Sequence, residues 1–419
     1  MAEDNTHAML SPSGADRWVL CPGSVILCKD LPDTSSKYAE EGTDAHELGA
    51  FCLEEGVDAA TLVGRALPSG NVVTDEMADI IQKGYVDPVR VYATGGSLTV
   101  ETRVPIHQLT GEVGALGTAD AIVIREDREL IVIDLKYGMG VEVSPENNRQ
   151  LMMYALGAIA LHDLQEEVDT VRLVICQPRT GNGAPKEWVV SYHDLQLFAR
   201  EVERAGVQIQ AGLKMFAETG VHTLPFKVTE KGCRFCKAKG TCPTLASHVQ
   251  GMAMAGFEDL TQTATDPARI VAARAHGKLG EWMDAVDIVE LWIKGVRAAV
   301  ETALLAGQDV IGRDGAYKLV QGRRGARKWA DAAATEALFK QFRLKTEEMY
   351  SFTLITPTAA EKLLKNDHPR QWEKTVELVT QSEGAVSVAP ATDKRPAVVK
   401  TGSTEGFTAV LDQDASDLL

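Results

Sequence analysis

Residues 117–136 decide the reading of the fold. They run Gly117-Thr118-Ala119-Asp120-Ala121-Ile122-Val123-Ile124, then Arg125-Glu126-Asp127-Arg128, then Glu129-Leu130-Ile131-Val132-Ile133-Asp134-Leu135-Lys136. Two β-rich runs flank a charged turn, which is a hairpin pattern. Side chains two residues apart on a strand share a face, so Asp134 and Lys136 project together while Leu135 turns into the core. Asp120, near the start of the preceding strand, can lie beside Asp134. Two close carboxylates repel, and one protonates unless a cation compensates. Hard oxygen ligands select Mg²⁺ or Mn²⁺. A lysine beside such an ion can hold or deprotonate a water, or stabilise charge on a phosphoryl centre. The pattern points to phosphodiester hydrolysis.

Outward from the hairpin, residues 97–106 alternate polar and apolar and read as a strand. Residues 170–176 and 187–192 read as two more. Helices are expected over 12–28, 37–55, 74–93, 147–162 and 194–216. The third opens on Thr74-Asp75-Glu76, which suits a helix start. His46 falls inside the second. Gln150 and Tyr154 are four residues apart in the fourth, hence on one face. The order of elements predicts an α/β fold, a mixed sheet with helices on its faces. Farther along, 267–305 reads as one or two long helices and 311–329 as a short β-hairpin with a basic tip. Residues 332–365 read as helical, with a short apolar run at 353–355 and a helix restarting at 357. From about 381 periodicity disappears, and the chain ends in an acidic, flexible tail. The expected organisation is a nuclease-type domain over 1–250, a mainly helical domain over 251–380, and the tail over 381–419.

At 419 residues the prior is two to three domains. Hydrophobic residues at 45% and charged residues at 24% are ordinary for globular chains and exclude a disordered or collagen-like one. The longest mostly apolar run, 151–161, is short of the roughly 20 residues a spanning helix needs. The start MAEDNTHAML has no apolar leader segment, so a cytoplasmic protein with no membrane partner is expected. The net charge is −16, from 43 Lys and Arg against 59 Asp and Glu. That balance argues against a broad nucleic-acid-binding face and for a locally basic channel. Two basic stretches stand out, 227–239 with Lys237 and Lys239, and 313–328 with Arg323, Arg324 and Arg327. Tyr317 and Trp329 are candidate stacking aromatics beside the second.

Seven cysteines with no secretion signal argue against disulfides. Cys233-x-x-Cys236-x5-Cys242 places three thiols within ten residues, one short of a zinc or iron–sulfur site. Cys21, Cys28 or His248 could supply the fourth ligand. Cys28, Cys52 and Cys176 otherwise read as buried core residues. No G-x-x-x-x-G-K-[ST] loop occurs, so no ATP-driven helicase is expected in the chain.

The order His46, Asp120, Asp134-x-Lys136, Gln150-x-x-x-Tyr154 resembles the RecB-type nucleases of the PD-(D/E)xK superfamily, whose fold is restriction-endonuclease-like. The resemblance covers about residues 10 to 245. It implies His46, Asp120 and Asp134 as metal ligands with the Leu135 carbonyl, Lys136 as the catalytic lysine, and Gln150 and Tyr154 supporting it and the DNA strand. Asp134 stands where many relatives carry Glu, and the shorter arm places the metal slightly differently. The stretch Ser11-Pro12-Ser13-Gly14-Ala15-Asp16-Arg17-Trp18-Val19-Leu20-Cys21-Pro22 resembles the iron–sulfur subgroup, which includes AddB-like and CRISPR-associated relatives. That likeness implies Cys21, Cys233, Cys236 and Cys242 around a [4Fe–4S] cluster, with structural Zn²⁺ as the alternative. Beyond residue 250 the likeness is to phage and prophage recombination proteins. The implied function is a Mg²⁺- or Mn²⁺-dependent DNA exonuclease in recombination or repair, partnered by a single-strand-binding or recombinase protein. The alternative is a non-catalytic DNA-binding or zinc-structured scaffold protein.

Overall fold

In a computed structural model of the chain, residues 8–31, 37–255, 277–313, 315–320, 332–341, 343, 345–350, 357–365 and 368–379 are described. The apolar runs form a five-stranded sheet in the order β1 (Gly96–Pro105), β2 (Leu116–Arg125), β3 (Glu129–Leu135), β4 (Thr170–Cys176) and β5 (Lys186–Ser191). β3 and β4 are parallel, and every other neighbouring pair is antiparallel. The fold is mixed α/β, with helices on both faces of the sheet.

The helices before the sheet are α1 (Ala15–Trp18), α2 (Ser24–Cys28), α3 (Lys37–Glu54), α4 (Asp75–Ile81) and α5 (Asp87–Tyr92). α6 (His107–Thr110) lies between β1 and β2, α7 (Arg149–Leu161) crosses from β3 to β4, and α8 (Tyr192–Thr219) follows β5. After these come α9 (Glu230–Arg234), α10 (Pro243–Ala255) and the long α11 (Gly277–Leu305). Ile122, Leu130, Val132, Leu173 and Ile175 pack under α7 and α8, and Ala121, Val123, Ile131, Ile133 and Val174 pack under α3, α4 and α5. Leu130 to Leu135 is buried throughout, as a central strand covered on both faces must be.

Several elements differ from the expectation. The helix expected over 12–28 is a 3-10 turn, Pro12–Gly14, followed by α1 and α2. The break falls at Cys21-Pro22-Gly23, where Pro22 has no amide to continue a helix. The helix expected over 74–93 starts as read, with Thr74 Oγ1 accepting from the Met77 amide at 3.2 Å. It then widens into a π turn, Gln82–Val86, before α5. Pro88 cannot donate to a carbonyl four residues back, so the ladder shifts there. Gly84 in that turn is required by contact, since a Cβ would lie 2.2 Å from Pro178 Cβ.

The hairpin expected over 311–329 is far shorter. Its strands are β6 (Ile311–Gly312) and β7 (Gly315–Ala316). Turn chemistry wins over strand pattern, because Gly312 and Gly315 flank a tight turn and Gly315 takes a φ of +127°. Arg323, Arg324, Arg327 and Trp329 lie outside the described residues, as do residues 267–276, 353–355 and 380–419. The helix expected over 332–365 is three separate pieces: α12 (Ala332–Gln341), α13 (Thr346–Met349) and α14 (Pro357–Leu364). α15 (Pro369–Val376) follows.

The chain divides into two compact units, Met1–Gln321 and Gly322–Leu419. In the first, α11 packs on the cysteine segment, with Ile288 against Leu245 and Val249. In the second, α14 and α15 pack on each other. No described helix is long and apolar enough to cross a membrane.

Candidate metal centre

The pairing of β2 with β3 stops at Ala121 opposite Ile133. Beyond it Asp120 Oδ2 accepts the Leu135 amide at 2.7 Å, so a carboxylate replaces a ladder carbonyl and the strands part. β3 stays tied to β4, and the Lys136 amide donates to the Cys176 carbonyl at 2.8 Å. The opening lies at the carboxyl ends of two parallel strands, where open α/β sheets place their sites.

Two further elements converge on Asp120. His46 on α3 brings Nδ1 to 3.3 Å from Asp120 Oδ2. Glu101 on β1 lies opposite Asp120, bracketed by the pairs Val100–Ala121 and Thr102–Ala119. Ligand atoms of His46, Glu101 and Asp120 all fall within 4.8 Å of one another. Glu101 has a φ of +44°, rare for a residue with a side chain. The facing of β1 changes there. Leu98 packs with the α3 side and Val104, of the same parity, with the α7 side. Imidazole and carboxylate donors in this arrangement suit a divalent cation.

A second group adjoins the first. Asp134 is almost wholly buried, and its Oδ2 lies 2.8 Å from Lys136 Nζ. Lys136 Nζ also donates to Gln150 Oε1 at 3.1 Å, and Gln150 Nε2 donates to the Tyr154 hydroxyl at 3.1 Å. Asn148 caps α7 by accepting from the Leu151 amide at 3.2 Å, which sets the helix phase that aims Gln150 at the lysine.

Burial and charge pull these groups in opposite directions. Burial pushes the Asp134 carboxyl up, Lys136 pulls it down and Asp120 raises it again, with a net upward shift. Burial opposes the Lys136 ammonium, but Asp134 outweighs it and the lysine is raised, so it stays protonated. Burial likewise opposes charge on His46, and the hydrogen bond and charge of Asp120 lift it above its ordinary value. Glu101 as a residue is exposed, yet its carboxyl end sits in the crowd. Desolvation and then the Asp120 charge push it up to about 7. Burial is the first cause of both carboxylate shifts, and the Asp120 charge adds to each.

His46, Asp120, Asp134, Lys136, Gln150 and Tyr154, nominated from the sequence, thus meet at one opening. The Leu135 side chain is fully buried, and its amide is held by Asp120. Glu101 was missed, because a Glu in an alternating strand reads as solvent-facing. Gln177 was missed too. Buried beside the end of β4, it donates to the Gly138 and Val141 carbonyls at 3.2 and 2.8 Å and accepts from the Val143 amide at 3.0 Å. It clamps the loop that follows Lys136.

Cys21, Cys233, Cys236 and Cys242 line one pocket with Phe226, Lys227 and Leu245. The Lys227 amide points at Cys21 Sγ at 3.4 Å and the Leu245 amide at Cys242 Sγ at 3.5 Å. Among the described residues no three thiols come within 4.8 Å of one another. His248 is exposed and does not line the pocket. Cys52 and Cys176 are buried in the core as expected, whereas Cys28 lies 3.6 Å from Cys236, sulfur to sulfur. Lys237 and Lys239 sit on the 3-10 turn Lys237–Gly240 beside the pocket, Lys239 donating to the Arg234 carbonyl at 2.8 Å.

Two solved structures show a weak likeness. One, described as the crystal structure of SSO0001, is 16% identical, covers 54% of this chain and 95% of its own, and superposes with a TM-score of 0.22. The other, described as LHK-Exo in complex with dAMP, is 11% identical, covers 49% and 95%, and also has a TM-score of 0.22. At that score neither likeness bears on the fold or chemistry of this chain. A family model described as "Protein of unknown function (DUF2800)" matches residues 7–396.

Proposed function

We propose that this chain, which belongs to the DUF2800 family, is a divalent-metal-dependent deoxyribonuclease that hydrolyses phosphodiester bonds at DNA ends. The observation that carries the reading is the His46–Glu101–Asp120 group set against the Asp134–Lys136–Gln150–Tyr154 chain. His46, Glu101 and Asp120 would hold the ion, with Asp134 and the Leu135 carbonyl as further oxygen donors. A bound Mg²⁺ or Mn²⁺ would polarise the phosphoryl oxygen and acidify a water. Asp134 and Gln150 hold the Lys136 ammonium in one place. Its charge is offered to the developing negative charge on the phosphate. Tyr154 fixes Gln150, and the hydroxyl keeps its own proton to donate to the strand.

The cysteine pocket is assigned in the same reading to a [4Fe–4S] cluster held by Cys21, Cys233, Cys236 and Cys242. Zinc–sulfur bonds of about 2.3 Å in a tetrahedron would bring thiols to roughly 3.8 Å apart. Among the described residues no three thiols lie mutually within 4.8 Å, so the zinc alternative would require them to close up. Lys237 and Lys239 would lead DNA past that pocket. Recombination or repair, with a single-strand-binding or recombinase partner, is the setting this activity fits.

The test is degradation of end-labelled linear DNA beside closed circular DNA, in Mg²⁺ or Mn²⁺, by the wild type and Lys136→Ala. Loss of linear DNA alone, abolished by the substitution in a protein that still melts cooperatively, is expected. Cutting of circles would make the activity endonucleolytic. No cutting by anaerobically prepared protein would move the reading to a DNA-binding scaffold.

A further inference from the structure

Cys28 is a thiol that belongs neither to the large cores nor to the lining of the cysteine pocket. It ends α2, and its sulfur lies 3.6 Å from that of Cys236, 208 residues away in sequence. Cys236 immediately precedes the 3-10 turn Lys237–Gly240. Among the described residues no other two thiols are in hydrogen-bond contact. The two sulfurs and Ala238 form a small buried cluster of their own, with Leu27 half-buried against it. Cys52 and Cys176, by contrast, sit in the large core under α3, α4 and α5.

The pair is close to bonding distance. A disulfide bond is about 2.05 Å long, so the sulfurs need to approach by only about 1.5 Å. The two also differ in access. Cys236 lines the cysteine pocket and Cys28 does not. A small oxidant that enters the pocket therefore meets Cys236, with Cys28 in reach of the oxidised sulfur.

We propose that Cys28 and Cys236 form an oxidative modification site, a dithiol that a peroxide closes to a disulfide when the pocket holds no metal. One peroxide oxygen transfers to the Cys236 sulfur, giving a sulfenic acid and one water. The Cys28 sulfur attacks that sulfur, the sulfur–oxygen bond breaks, and the departing hydroxyl takes the Cys28 proton as a second water. Two thiols are oxidised and one peroxide is reduced to two waters. The bond ties α2 to the segment after α8, so it holds the emptied site together. It also stops Cys236 at a reversible stage, whereas a sulfenic acid with no thiol in reach proceeds to an irreversible sulfinic acid. On the cluster reading, loading then waits on reduction of the disulfide, because Cys236 is one of the four ligands; the disulfide itself does not rest on that reading.

The experiment uses the full chain, stripped of metal by a chelator without air and then exposed to hydrogen peroxide, beside Cys28→Ser. Free thiols are alkylated and the protein is digested for mass spectrometry. The wild type is expected to yield a linked Cys28–Cys236 peptide that dithiothreitol separates. Oxidised wild type should melt about 5 °C or more above the reduced form, since the bond closes a loop of more than 200 residues. Cys28→Ser should show no such rise and should carry sulfinic acid at Cys236. After reduction it should regain about half or less of the metal that the wild type regains. Alkylated Cys28 and Cys236 in peroxide-treated wild type, or disulfides among Cys21, Cys233 and Cys242 in their place, overturns the proposal. Zinc rather than iron in the purified protein overturns the cluster reading alone, because the thiols are tested free of any metal.

Discussion

Glu101 concentrates the conflict between folding and function in one residue. Its φ of +44° sits where side chains are disfavoured, at a cost of about 1–3 kcal/mol. Its carboxylate is also raised by the crowd around Asp120. A residue that destabilises the fold twice over is expected to be held for its ligand atom. Glu101→Gln should therefore weaken Mn²⁺ binding about ten-fold or more in calorimetry. Glu101→Gly, freed of the backbone penalty, should be more resistant to urea than Glu101→Ala by about 1 kcal/mol, while binding Mn²⁺ no better. Lys136 shows the opposite balance. It is the counter-ion of a nearly fully buried Asp134, so Lys136→Ala should destabilise the metal-free protein by about 3 kcal/mol, and added Mn²⁺ should restore part of that in a thermal melt. Asp134, Lys136 and Asp120 were legible in the sequence because strand parity fixes their facing. Glu101 was not, because a single backbone angle turns it toward the site, and no residue type announces a positive φ in a strand.

At the scale of elements, the sheet and its flanking helices were readable because each strand and helix answers to its own period. β3 is buried from Leu130 to Leu135 and central, α7 carries Gln150 and Tyr154 on one face, and α3 carries His46 as expected. What escaped was punctuation. Pro88 turns one helix into α4, a π turn and α5, and Gly312 with Gly315 collapses a long hairpin to two residues a side. The loop after Lys136 is the clearest case of an element defined by a distant residue. Nothing packs against its Gly138 and Gly140, and Met139 and Val141 are exposed. Three hydrogen bonds with Gln177, thirty-odd residues away, hold it, two donated by its amide nitrogen and one accepted by its oxygen. Gln177→Ala should cost about 1–3 kcal/mol, since the freed backbone groups lose partners near a buried position. Amide exchange across 138–143 should rise sharply. Cleavage should slow while Mn²⁺ affinity stays as in the wild type, because no metal-facing side chain moves.

At the scale of the whole molecule, the cysteine pocket brings together two segments of the first unit that are far apart in sequence. Cys21 comes from the segment between α1 and α2, and Cys233, Cys236 and Cys242 come from the segment after α8. α11 then packs on the same segment through Ile288, so a group held by these thiols would also support the long helix. A covalent or coordinate link across more than 200 residues of chain removes much loop-closure entropy from the unfolded state, on the order of 5 kcal/mol by the loop-length relation for cross-links. With the proposed cluster bound, the stability of the first unit should accordingly depend on it. Anaerobically purified protein is expected to be brown, with close to four iron atoms per chain, and to lose both colour and thermal stability in Cys21→Ser. Cys28→Ser should keep the colour, because Cys28, although 3.6 Å from Cys236, does not line the pocket. A colourless protein holding one zinc per chain would instead return the assignment to a tetrahedral thiolate site. The same Cys21→Ser variant then separates the two roles of the segment. If it still binds Mn²⁺ as tightly as the wild type, the staple supports the fold without shaping the metal centre. That outcome is expected, since none of the residues around Asp120 comes from the cysteine segment.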